Sequence, residues 1–177
     1  TSFQVTCPAS GSSTLPLQVQ LDPVANSGGN SSDISILFDT DGDGNANYSY
    51  VITLGNDPFS VINIQLQMGR NDSSQIKISG NKTDVPIGTT TSGTAIGTNP
   101  FNGDDDTLVD LNLDISAIAN HAGVPVDDVQ FVNITTIPSS SATSDPKDIL
   151  LAQGQAFTSD DSGVTDVDSN IVIDTLG

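Results

Sequence analysis

Residues 34–54 read ISILFDTDGDGNANYSYVITL. Ile34, Ile36 and Phe38 recur at every second position, and so do Tyr48, Tyr50, Ile52 and Leu54. A period of two places these side chains on one face of a pleated strand. The stretch between them is built from Asp, Gly and Asn, which accept turn dihedrals that β-branched residues refuse. The passage therefore reads strand, turn, strand. The same alternation recurs outward in both directions: Phe3, Val5 and Cys7; Leu15, Leu17, Val19 and Leu21; and Ile62, Ile64, Leu66 and Met68, the cleanest run. Ile76 and Ile78 suggest a short strand, and Leu108 to Ile115, Val129 to Thr135, Ile149 to Ala152 and Ile171 to Ile173 complete the set. About ten short strands with polar turns between them predict an all-β fold, a jelly-roll-like β-sandwich. One short helix is expected after residue 114. Asp114 or Ser116 can cap it, Ile115, Ile118 and Ala119 share a face, and Gly123 sits where a helix ends.

The turn carries chemistry. In Asp39-Thr-Asp41-Gly-Asp43-Gly44-Asn45-Ala-Asn47, oxygen-bearing side chains fall at positions 1, 3, 5 and 9, with glycine at position 6. Alternate side chains of a tight turn converge on one point, and position 7 (Asn45) adds its backbone carbonyl. Such a cage suits Ca2+, a hard cation that takes six to eight oxygen ligands. Three carboxylates this close repel one another unless a cation lies between them. Position 12 is Tyr50 rather than the bidentate Glu of an EF-hand, and the flanks are strands rather than helices. A further ligand must come from water or from a distant Asp. Asp104, Asp105 and Asp106 form a second candidate cluster, and Asp160 and Asp161, near Asp166 and Asp168, a third. A solvated acidic loop is the alternative reading of both.

The chain has 177 residues, enough for one domain with a real core, expected to span 1–177. It carries 22 acidic residues, every one Asp, against four Lys and Arg, for a formal net charge of −18. That charge repels phosphate backbones and anionic lipid, so nucleic acid is not an expected partner. No apolar run is long enough to span a membrane. Thr1 opens the sequence without a positively charged apolar leader, which is compatible with a signal already removed. A single cysteine, Cys7, excludes an intramolecular disulfide and reads as a small apolar strand residue. A single histidine, His121, reads as an ordinary polar residue near the end of the helix. No nucleophile, zinc or phosphate-loop motif is present, so no enzymatic activity is expected. Paired Asp could serve glycoside hydrolysis, but there is no Glu, and no Trp to stack on sugar.

Asn30, Asn47, Asn71, Asn81 and Asn133 each open an N-x-Ser/Thr sequon. A glycan and an ion would compete at Asn47, where the ion is favoured. This leaves Asn30, Asn71, Asn81 and Asn133 as glycosylation candidates. Residues 8–14, 22–32 and 84–103 read as loops, the last as a long surface excursion. The strand over residues 2–7 hangs on a flexible Gly/Ser linker. It can pair at home or add to a neighbouring subunit's sheet.

The stretches FDTDGDGNANYSYVITL (38–54) and LVDLNLDISAIANHAGVPVDDVQFV (108–132) resemble secreted prokaryotic β-sandwich surface proteins. The plan is similar to that of cannula-type subunits of extracellular tubes and fibres. That resemblance implies jelly-roll subunits joined by donated strands and bridging calcium, and no catalytic residue. The expected function is thus a structural subunit of a calcium-dependent extracellular filament, tube or surface layer, with copies of itself as partners. The alternative is a calcium-stabilised carbohydrate-binding or adhesion module that engages cell-surface glycans.

Overall fold

A computed structural model describes residues 2–6, 13–21, 31–56, 59–69, 77–78, 80–96, 107–138, 148–151, 166–168 and 171–174. The centre of the fold is the hairpin of β3 (Ser31–Asp39) and β4 (Tyr48–Asn56). Its antiparallel register sets Ile34 opposite Ile52, Ile36 opposite Tyr50 and Phe38 opposite Tyr48. All six side chains are buried. Each of these cross-strand pairs puts an aromatic or β-branched side chain against another, the arrangement that best stabilises a pleated surface. β5 (Phe59–Met68) flanks β4, and β9 (Gln130–Pro138) flanks β3.

The sheet continues through β6 (Thr83–Val85) beyond β5, and through β10 (Asp148–Leu151) and β11 (Asp166–Asp168) beyond β9. The second sheet contains β1 (Ser2–Thr6), β2 (Thr14–Leu21), β7 (Ser92–Ile96), β8 (Thr107–Asp114) and β12 (Ile171–Asp174), in the order β12-β1-β2-β8-β7. Pairing is antiparallel except for β1 with β12 and β10 with β11. Leu15 and Leu17 of β2 and Val109, Leu111 and Leu113 of β8 join the hairpin side chains in one core. The architecture is an all-β sandwich with one short α-helix.

Gly93 of β7 shows how closely the layers approach. A Cβ there would lie 2.8 Å from Leu111 Cδ2 in its own sheet and 3.1 Å from Ile64 Cδ1 in the other. The close packing of the two sheets leaves no room for a side chain at this point.

Helix α1 (Ile115–Ala122) leaves β8 without a loop. Of the two candidate caps, Asp114 is the one used: its carboxylate accepts the amide of Ala117 at 3.3 Å, while Ser116 donates its hydroxyl to the same group. Gly123 closes the helix in the left-handed region at φ 74, donating its amide to Ala119. Thr90 donates its hydroxyl to the Asp114 carboxylate at 2.8 Å. Gly88 is the neighbour that permits this approach, since any Cβ there would collide with the Asp114 side chain. Tyr50, wholly buried, donates its hydroxyl to the Asp114 carbonyl at 2.8 Å. Burial, with the nearby Asp114 charge, pushes its phenol up to about 12.

Four expectations need correction. Residues 84–103 are not a bare excursion: β6 ends and β7 lies within them. Their Thr, Ser and Gly become strand because β5 and β8 offer open backbone to pair with. Of the strand expected at Ile76 and Ile78, Ile76 lies outside the described residues and Ile78 is in no strand; it is buried instead with Leu37, Ala46 and Val132 in a small second cluster. Asp166–Asp168, where alternation predicts no strand, is β11, paired in parallel with β10. Ile62 does not face the core. The β4–β5 register slips between Thr53 and Leu54, so Val61 packs against the core and Ile62 is 61 % exposed. A bulge inserts one residue and reverses the facing of everything beyond it.

β1 pairs with its own chain, with Phe3 opposite Val19 of β2 and Ile171 of β12. Within this chain, the strand on the Gly/Ser linker is thus paired at home.

Tyr50→Phe should lower stability by about 1–3 kcal/mol in urea unfolding, because the Asp114 carbonyl loses its buried donor. Ile62→Ala should change it by less than about 0.5 kcal/mol. Equal losses from the two would contradict the assigned facing.

Candidate metal centre

Asp39 is the last residue of β3 and Tyr48 the first of β4, so the hairpin closes through residues 40–47. Two amides fix the base of the loop: Asn47 donates to the Phe38 carbonyl and Gly69 donates to the Asn47 carbonyl, both at 2.9 Å. Gly42 and Gly44 take φ of 78 and 85, the left-handed values glycine adopts without steric cost. The turn winds around one buried carboxylate. Asp39 is 1 % exposed; its Oδ1 accepts the amides of Asp41 and Gly42 at 2.9 Å each, and its Oδ2 accepts that of Gly44 at 2.8 Å. Asp41 accepts the amide of Asp43 at 3.4 Å, and Asp43 accepts that of Asn45 at 2.8 Å.

Asp39, Asp41 and Asp43 each present a carboxylate oxygen, and these atoms lie within 4.8 Å of one another. Among the described residues this is the grouping able to hold a metal ion. A carboxylate has about four acceptor positions. Asp39 has three of its own occupied by amides, whereas Asp41 and Asp43 have one each. Most free lone pairs therefore belong to the two exposed carboxylates, with Asp39 as the anchor.

The charges respond to this layout. Burial alone would raise the Asp39 carboxyl, but the amides of Gly44, Asp41 and Gly42 outweigh it and hold it below its ordinary 3.8. Asp41 moves the other way: partial burial, the hydrogen bond to Asp39 and the charges of Asp43 and Asp39 raise it above 3.8. The loop thus keeps one anion firmly and a second at an energetic cost that a cation would remove. The donor set is all oxygen, which selects hard cations over thiophilic ones.

The remaining sequence candidates divide clearly. Asn47 turns its side chain to Thr40, accepting that residue's amide at 3.1 Å and donating to its hydroxyl at 3.0 Å. It braces the loop and would have to share or release Thr40 to reach an ion. Asn45 is half-buried with its amide on Asp43. Asp104, Asp105, Asp106, Asp160, Asp161, Asn30 and Asn71 lie outside the described residues. Asn133 needs correction as a glycan site: it is fully buried in β9, between β3 and β10, where no sugar fits. Asn81 is exposed.

Sequence reasoning missed two contributors. The Tyr48 hydroxyl lies 2.8 Å from His121 Nδ1 and the rings meet edge-on at 5.8 Å, tying α1 to the foot of the loop. The partners are 73 positions apart, so no local pattern signals the contact. Gly42 provides a second left-handed residue, and the repeated Asp-Gly step was its signal.

No family model, curated protein or solved structure matches the chain.

In metal-free buffer, Asp39→Ala should cost at least about 2 kcal/mol, since three amides lose their acceptor. The pH dependence has a definite sign. Asp39 and Asp114 titrate below 3.8 in the folded state, so the stability they confer persists above that value and is lost as pH falls through their folded values. Asp41, raised, works oppositely: its stabilising protonated form is lost as pH rises from 3.8 through its folded value. Asp41→Asn should therefore stabilise the metal-free protein near neutral pH, as read by its melting temperature.

Proposed function

We propose that this chain is a calcium-binding structural module, a subunit of an extracellular filament, tube or surface layer. The observation that carries the reading is the convergence of Asp39, Asp41 and Asp43 at the tip of the central hairpin. Loop amides donate to all three, and the chain holds four cationic side chains against 22 acids. In this proposal Ca2+ takes the free oxygens of Asp41 and Asp43 and one of Asp39, and completes its shell with backbone carbonyls or water. The ion acts as a strut: it joins the ends of β3 and β4 and removes repulsion stored in the loop.

Assembly follows from the same electrostatics. Copies at −18 repel each other, and monovalent salt screens this beyond about 8–10 Å but not at subunit contact. Divalent ions between subunits would reverse the sign of that interaction. Donation of the N-terminal strand to a neighbour is the second element of the proposal, since the pairing seen within one chain can equally form between two copies.

The carbohydrate-binding alternative is disfavoured by the described aromatic rings. Phe38, Tyr48 and Tyr50 are buried and Phe131 is half-buried against the core, so none of them offers a flat exposed face to a sugar. Among the described residues no helix is long and apolar enough to cross a membrane.

Light scattering across a calcium titration, with negative-stain microscopy at its ends, tests the assembly. Particle mass should rise with calcium, fall again with chelator, and stay at the monomer value in an Asp41→Asn/Asp43→Asn variant. A monomer at every calcium concentration would refute the filament reading while leaving ion binding open to separate measurement.

A further inference from the structure

Three of the five sequons lie among the described residues, and their surroundings differ sharply. At Asn133-Ile134-Thr135 all three residues are buried in the interior strand β9. At Asn47-Tyr48-Ser49 the asparagine is locked to Thr40, and Tyr48 and Ser49 are buried. At Asn81-Lys82-Thr83 every residue is exposed. Gly80, at φ 73, turns the chain immediately before it, and Thr83 opens β6, the strand that ends the seven-stranded sheet. The bend shows the asparagine to solvent with its hydroxyl-bearing partner two residues on.

We propose that Asn81 is an N-glycosylation site, and that among the described sequons it alone is compatible with the folded chain. The proposal rests on the extracellular reading, because the modification requires a compartment that supplies an activated sugar. The donor is a lipid-diphosphate-linked oligosaccharide. Asn81 Nδ2 attacks the anomeric carbon; the N–C bond forms, the C–O bond to phosphate breaks, the lipid diphosphate departs, and the amide yields one proton to a base. Thr83 supplies the hydroxyl the sequon requires. The attached glycan would stand beside β6, whose outer edge offers backbone groups for pairing. A bulky hydrophilic group there discourages edge-to-edge association of the seven-stranded sheets and directs assembly to other surfaces.

The test is to express the full chain with a secretory leader in a eukaryotic cell line and purify the folded, secreted protein. The asparagines are then mapped by release with a peptide N-glycosidase in heavy-oxygen water, which hydrolyses each glycosylated Asn to labelled Asp, followed by peptide mass spectrometry. Asn81 should carry glycan in most molecules, Thr83→Ala and Asn81→Gln should abolish it at that position, and Thr83→Ser should retain it. Circular dichroism of each variant confirms the fold. Bare Asn81 in folded secreted protein, or a glycan on folded protein at Asn47 or Asn133, would overturn the proposal. Because the leader forces secretion, this result is independent of where the native host places the chain.

Discussion

Everything at the tip of the central hairpin depends on the crowding of three carboxylates. Like charges a few ångströms apart repel, so they favour a proton or a cation among them. The chain supplies part of the answer itself, because Asp39 draws the amides of Asp41, Gly42 and Gly44 onto its two oxygens. Those amides carry partial charge and shield one anion. They do little for Asp41 and Asp43, which stay exposed and close to each other. The loop is thus preorganised by one carboxylate and left electrostatically unfinished by two.

The rest of the fold makes that arrangement rigid. The hairpin strands are buried on the core face from Ile34 to Phe38 and from Tyr48 to Leu54. Tyr50 reaches across the sandwich to the Asp114 carbonyl, and Tyr48 reaches to His121 on α1. Two tyrosines of one strand thereby fix the helix and the loop relative to the same core. A loop held at both ends loses little conformational entropy on binding an ion, which favours affinity.

Much of this was legible in the sequence, and the exceptions have physical causes. Period-two alternation located the hairpin and β8 because their core faces are apolar at every second position, whereas in β9 a bulge sets Phe131 and Ile134 three apart on the core side. The cap at Asp114 and the stop at Gly123 were readable because capping is local chemistry. β6, β7 and β11 were hidden, since their residues are small or acidic and become strand only when a neighbour's edge pairs with them. Ile62 misled because a bulge is set by the partner strand, not by the strand's own alternation. At the candidate centre, the spacing of Asp39, Asp41 and Asp43 announced their convergence. The diversion of Asn47 to Thr40 was not readable, because its alternative partner lies seven residues back across the loop.

The most direct measurement is calorimetric titration of calcium into the chelator-stripped chain, run beside the Asp41→Asn/Asp43→Asn variant, with melting curves of both. The account predicts saturable binding to the wild-type protein, a higher melting temperature with calcium, and loss of both at this loop in the variant. Identical titrations and identical melting curves for the two proteins would contradict it.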